Sequence, residues 1–273
     1  MTAISLRSVP LTAIFGIVVI AAFALTGIFA NLLAPYGETQ IVGMEFEPWG
    51  GDFVLGTDSL GRDMLSRLIY GARNSIGIAL ATTIIAFVVG AALGLLAAVL
   101  GGWIDQALSR FVDLMIAIPG LVFALLLLSI FGTSIPMLIL IISVLELTRV
   151  FRLARAVAMD IVVMDYVEAA RLRGEGLWWL VRREILPNIM APLVAEFGLR
   201  FCFVFLAISA LSFLGLGIQP PTADWGSMVR DNAMMITFGD ITPLLPAACI
   251  ALLTVSINFV VDWMLHRASG LKD

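Results

Sequence analysis

The sequence predicts an all-α polytopic membrane protein with six transmembrane helices. Three observations carry that expectation. Charged residues make up 13% of the 273 residues and hydrophobic ones 61%, with a mean hydropathy of +1.05, whereas soluble domains carry about 25% charge. Apolar runs recur that are long enough to cross a hydrocarbon core of about 30 Å as helices. Arginine is segregated between alternate loops, which fixes an even span count and an orientation.

The expected spans are 11–34, 75–100, 111–132, 135–156, 191–217 and 241–265. The first superficially resembles a signal peptide. Its apolar region exceeds the usual stretch of about 7–15 residues, so a retained span is expected. The second has no charge from Ser75 to Leu100 and carries Gly90-x-x-x-Gly94, small residues that let a neighbouring helix approach closely. The third contains Asp113 and Pro119-Gly120, where a kink is expected. In the fourth, apolar Ile135–Leu145 is followed by Glu146, Arg149, Arg152 and Arg155, whose stems can snorkel to an interface. In the fifth and sixth, Glu196 and Arg200, and Asn258 and Asp262, are each four apart on one helix face near the cytoplasmic ends. Stapling of the bundle is the expected role of both pairs; an intramembrane site is the alternative.

The segment Arg149–Arg183 holds seven arginines, and Arg7, Arg110, Arg267 and Lys272 fall on the same side. Against that, 35–74 has six acids beside Arg62, Arg67 and Arg73, and 218–240 has three acids beside Arg230. The arginine-rich side is therefore expected to be cytoplasmic, with both termini there. The net charge of −4 averages over this asymmetry and implies no bulk ionic partner. Three regions follow: 1–74, an N-terminal span, outer loop and interfacial helix; 75–265, a core with a cytoplasmic loop 160–190 and an outer loop 218–240; and 266–273, a cytoplasmic tail. Within the first, 35–58 reads as loop and 59–73 as a short amphipathic interfacial helix.

Several chemistries lack their residues. Lys272 is the single lysine, so no G-x-x-x-x-G-K-[ST] phosphate loop can form. His266, beside Arg267, suits a membrane-boundary anchor. Cys202 and Cys249 lie in apolar runs as small hydrophobes, with no zinc-type spacing and no metal expected. No Gly-x-Ser-x-Gly or His-Glu-x-x-His motif supports an enzyme. No nucleic-acid partner is expected; membrane lipid is.

One stretch stands apart. "DYVEAARLRGEGLWWLVRREILPN" at 165–188 puts four arginines and two tryptophans on the arginine-rich side. Glu168, Ala169 and Ala170 favour helix, Gly174 and Gly176 permit a reversal, and Leu177–Glu184 reads as a second short helix that Pro187 ends. The product is a compact knob rich in hot-spot residue types.

This stretch resembles the EAA loop of ABC importer permeases. With "LGTDSLGRDMLSRLIYGAR" at 55–73 and "LSFLGLGIQPPTADWG" at 211–226, the chain resembles the C-type permease subunit of dipeptide, oligopeptide and nickel importers. The resemblance implies a type I ABC importer transmembrane fold, half of a translocation pathway working by alternating access in a bacterial inner membrane. Its implied partners are a homologous permease, two cytoplasmic ATPase subunits and an extracytoplasmic solute-binding protein. The implied ATPase-coupling residues are Glu168, Ala169, Ala170, Gly174, Leu186 and Pro187. Pro220, Pro221 and Trp225 become candidate contacts for the binding protein, with headgroup anchoring the other reading of Trp225. No cofactor is expected on this chain, ATP and magnesium residing on the ATPase subunits. The loop departs from the family pattern at Arg173 and Glu175-Gly176, which bears on its fit to a particular ATPase. Segment 55–73 can equally brace the spans, Gly61, Arg62 and Asp63 forming a turn and an ion pair. The expected cargo is a di- or oligopeptide, with nickel chelates, glutathione, opines and sugar conjugates also open. The rival reading is a secondary transporter not driven by ATP, for which the inverted repeats are missing.

Overall fold

A computed structural model describes residues 10–268, so Arg7 and Lys272 lie outside the described residues, as does most of the expected tail. The helices are α1 (Leu11–Ile28), α2 (Ala30–Leu33), α3 (Met64–Leu100), α4 (Gly102–Ala117), α5 (Gly120–Phe131), α6 (Ile135–Val162), α7 (Asp165–Leu172), α8 (Leu177–Trp179), α9 (Leu186–Phe213), α10 (Trp225–Asn232) and α11 (Leu244–Ala268). A π-helical turn, Leu180–Ile185, joins α8 to α9, and a 3-10 segment, Ala233–Phe238, follows α10. Among the described residues the only extended pairings are two isolated bridges, Ile41 with Arg62 and Thr57 with Asp63.

By length and apolarity, four helical stretches suffice to cross a membrane: Leu11–Ile28, Met64–Leu100, Leu177–Phe213 and Leu244–Arg267. A fifth arises if α4 and α5, bent by 86°, count as one broken span. The sequence reading of six therefore stands at four or five on this criterion. What separates them is α6, whose 28 residues include Glu146, Arg149, Arg152 and Arg155.

Three elements differ from expectation. The short helix expected at 59–73 is not separate: Asp63 caps α3 by accepting from the Ser66 N–H at 2.8 Å, and the helix runs unbroken to Leu100. Nothing between Gly71 and Ser75 breaks it, because the polar residues Arg73 and Asn74 are tolerated in a helix. The kink expected near Pro119 is a full break. Ile118 is extended at ψ 131°, as a residue before proline prefers, and Pro119 caps α5. Pro187 does not end the preceding helix; the π turn widens the ring just before it, and α8 continues into α9.

The close approach anticipated at Gly90 and Gly94 is realised against α6. A Cβ on Gly90 would lie 2.6 Å from the Leu147 carbonyl oxygen, and one on Gly94 would lie 2.7 Å from that of Phe151. Ser143 donates to the Thr82 carbonyl at 3.1 Å further along the same seam. Gly90→Ala is therefore expected to overpack this interface by about 1–3 kcal/mol. The thermal midpoint in detergent should fall; an unchanged midpoint would show that the seam is loose.

The main core gathers Met64, Leu128, Leu138, Val204, Phe205, Ile208, Leu211 and Trp225. Cys202 lies in it, with Cys249 packed against it, both as free thiols.

Candidate functional site

The knob at 165–185 is built on a small core of its own. Val167 and Ala170 from α7 and Leu180 from the π turn are buried together, with Ile161 and Trp179 against them. Asp165 and Glu168 sit in the first turn of α7 and Arg171 in its last, charges that suit the helix dipole. The helix ends in a Schellman motif: Gly174 N–H donates to Arg171 O at 2.9 Å and Glu175 N–H to Ala170 O at 3.2 Å. That motif needs a left-handed residue, and Gly174 has φ 82°.

Side chains then tie the knob to the bundle. Arg171 Nη2 donates to the Val99 carbonyl at 3.3 Å, near the end of α3 where carbonyls lack helical partners. Asn188 Nδ2 reaches Tyr166 Oη at 3.3 Å and the Glu184 carbonyl at 2.6 Å. Arg173 lies 6.0 Å from the Trp179 ring centroid. Above this end of the bundle, Arg155 on α6 grips Asp105 on α4 in a two-pronged ion pair, Nη2 to Oδ2 at 2.6 Å and Nε to Oδ1.

The sequence-derived residues divide on this geometry. Glu168, Ala169 and Gly174 face outward, whereas Ala170 is buried and holds α7 to the π turn. Leu186 is half-buried and Pro187 exposed, both at the start of α9. The outer face is dominated by Leu172, not singled out from sequence and 84% exposed, and by Trp178 of the expected second short helix, 73% exposed. Arg171 and Tyr166 were missed too, since their partners lie on α3 and α9.

At the other end, the two remaining motifs interlock. Glu38 Oε1 accepts from Asn74 Nδ2 at 2.8 Å and from the Ala223 N–H at 2.6 Å. Ser75 donates to Asp224 Oδ1 at 2.8 Å and accepts from the Trp225 N–H at 3.1 Å. Burial pushes the Asp224 carboxyl above its ordinary range, opposed by hydrogen bonds from Ser227, Ser75, Ser212 and Gly226. Trp225 is 1% exposed, donates to the Leu68 carbonyl at 3.0 Å and packs edge-on to Phe23 and Phe205. Neither surface contact nor headgroup anchoring fits a side chain so enclosed; it clamps α10 to α3. Pro220 and Pro221 are exposed.

Segment 55–73 also braces. Asp58, rather than Asp63, takes the ion pair with Arg62, at 2.7 Å, and takes Arg67 as well at 3.2 Å, while Asp63 caps α3. The Glu196–Arg200 pair forms at 2.7 Å. Asn258 instead donates to the Thr254 carbonyl, and Asp262 is exposed. Among the described residues no cluster of His, Cys, Asp and Glu is placed to hold a metal.

The family profile described as "Binding-protein-dependent transport system inner membrane component" matches residues 90–268. A dipeptide transport system permease protein of Alkalihalophilus pseudofirmus is 34% identical over 96% of this chain and 84% of its own length. A di/tripeptide transport system permease protein of Pseudomonas aeruginosa is 37% identical over 96% of this chain and 86% of its own. A glutathione transport system permease protein of Pectobacterium atrosepticum is 31% identical over 80% of this chain and 70% of its own.

Proposed function

The chain belongs to the binding-protein-dependent transport system inner membrane components, as a C-type permease of ABC peptide importers, and on that premise we propose how it works. It is a multi-pass membrane protein and a transport component. It forms half of the pathway for a di- or oligopeptide and is driven by a separate ATPase through the knob at 160–190. The observation that carries this reading is the knob: α7, capped and packed on its own small core, presents Glu168 and Leu172 outward, α8 adds Trp178, and the base of α7 is tied to α3 and α9.

Six spans give this arrangement one consistent orientation. Helix α6 runs parallel to α3, with Ser143 at Thr82, Leu147 at Gly90 and Phe151 at Gly94. Packing in register along a spanning helix supports a span for α6 as well, with its charges turned toward the bundle or water. Counting α6 and the bent α4–α5 pair gives six. The outer loop of 35–63 and the 218–240 segment meet at one end through Glu38 and the Ala223 N–H, beside the Asp224 contact with Ser75 of α3. The knob meets the end of α3 at the other, beside the arginines. The N-terminal span and outer loop, the core from 75 to 265 and a short tail follow as regions, with both termini cytoplasmic.

The partners of this reading are a homologous permease, two ATPase subunits carrying ATP and magnesium, and a solute-binding protein that Pro220 and Pro221 can meet. No cofactor is assigned to this chain. ATP binding draws the ATPase subunits together, and α7 follows as a rigid body. The helices flanking it, α6 and α9, carry the motion into the membrane, biasing a two-state element.

Glu168→Lys tests the docking face. Reversing one exposed charge at an interface should weaken association by at least about tenfold, ~1.4 kcal/mol. Co-purified ATPase should drop while the permease still inserts; unchanged stoichiometry would remove Glu168 from the interface. Uptake that survives ATP depletion would return the secondary-transporter reading.

A further inference from the structure

Four charged side chains meet between α6 and α9. Arg200, 7% exposed, places Nη1 2.7 Å from Glu146 Oε2 on α6 and Nε 2.7 Å from Glu196 Oε1 on its own helix. Glu146 in turn has Arg149 Nε at 4.0 Å, three residues along α6. The guanidinium also covers Phe203, with Cζ 4.8 Å from the ring centroid. At 1.5 Å per residue, Glu146 lies about 17 Å from Ile135 and Arg200 about 20 Å from Phe213, within a hydrocarbon depth of about 30 Å. The cluster therefore lies in the cytoplasmic half of this depth, toward the end expected from sequence.

A simple staple needs two charges, and pulling it apart inside a bilayer would strand both. The arrangement here avoids that outcome. If α6 and α9 separate, Glu146 retains Arg149 and Arg200 retains Glu196, each couple lying on one helix at a spacing that does not depend on the other. Of these contacts only Arg200–Glu146 crosses between helices: Nη1 donates to Glu146 on α6, whereas Nε lies against Glu196 on its own helix.

We infer that Arg200 and Glu146 form a releasable latch between α6 and α9, with Arg149 and Glu196 as standby partners that keep each helix neutral when it opens. Resting on the transport reading above, this makes them positioning residues for the cycle, since α6 enters the knob and α9 leaves it. A pull on α7 is delivered to both helices at once.

The test uses the complete importer, reconstituted in proteoliposomes with its partner permease, ATPase subunits and binding protein, with a dipeptide as solute. Glu146→Ala removes the bridge and leaves the Arg200–Glu196 couple. Basal ATP hydrolysis should rise roughly fivefold, and the ATP consumed per dipeptide should rise with it. Arg149→Gln leaves the bridge but removes the standby partner. Basal hydrolysis and uptake should both fall by roughly fivefold. A structural staple would leave Arg149→Gln at wild-type rates, and that result, or two variants shifting basal hydrolysis in one direction, would overturn the latch. Failure of the wild-type importer to show ATP-driven uptake would instead overturn the transport reading itself.

Discussion

Gly174→Val is expected to abolish coupling while leaving the bundle intact. The φ of 82° is a region that β-branched residues scarcely enter, and forcing an L-residue into it costs about 1–2 kcal/mol. A Cβ at this position meets nothing within 4 Å, so the defect is conformational, with no clash. The chain escapes by leaving the left-handed region, which breaks the bonds from Gly174 to Arg171 and from Glu175 to Ala170. The end of α7 then frays, and Leu172 and Trp178 lose their fixed relation. ATP-driven uptake should fall at least about tenfold, the effect of ~1.4 kcal/mol at a coupling interface. Insertion and detergent stability should stay near wild type, because the bundle core lies elsewhere. Gly174→Asn supplies the control: asparagine tolerates the left-handed region and should retain most of the uptake. Equal losses in both variants would place the defect in side-chain bulk at the docking face.

Asp58→Ala should instead destroy the fold. Asp58 Oδ2 accepts from Arg62 Nε at 2.8 Å and pairs with Arg67 Nε at 3.2 Å, while Oδ1 accepts the N–H groups of Leu60 at 2.9 Å and Arg62 at 3.0 Å. All three charged residues are buried, at 2% for Asp58, 5% for Arg62 and 2% for Arg67. Removing the carboxylate strands two guanidinium groups, a loss of about 3–5 kcal/mol. That is a large share of a typical folding free energy of about 5–15 kcal/mol. Size-exclusion profiles of the solubilised protein should shift to aggregate. A monodisperse Asp58→Ala protein with a wild-type thermal midpoint would show that this cluster carries no weight.

These two positions illustrate what the sequence made legible. Gly174 was readable because a glycine after a helix-forming run has one common use, and the local rule survives in the folded chain. Gly90-x-x-x-Gly94 and the i,i+4 pair Glu196–Arg200 were readable for the same reason: their meaning lies in one helix's geometry. Asp58 was not. Which acid takes Arg62 depends on a loop that folds back over the start of α3, and Asp63, the nearer choice, is spent on capping. Trp225 was misread because tryptophan in an outer loop suits an interface by composition, whereas the hydrogen bond to Leu68 and the rings of Phe23 and Phe205 enclose it. The break at Pro119 and the continuity through Pro187 show the same limit. Proline removes a donor in both places, but only packing decides whether the backbone bends by 86° or widens into a π turn.

Topological labelling of the knob tests the account most directly. Leu172→Cys, made in a chain whose Cys202 and Cys249 are replaced by Ala, puts a single thiol at an 84% exposed position; the second replacement is needed because Cys249 is only half-buried against the core. A membrane-impermeant maleimide should label position 172 in inverted vesicles and not in intact cells, and the associated ATPase subunits should protect it. Labelling from the outside of intact cells would place α7 on the wrong face of the membrane and contradict its proposed role as the coupling helix.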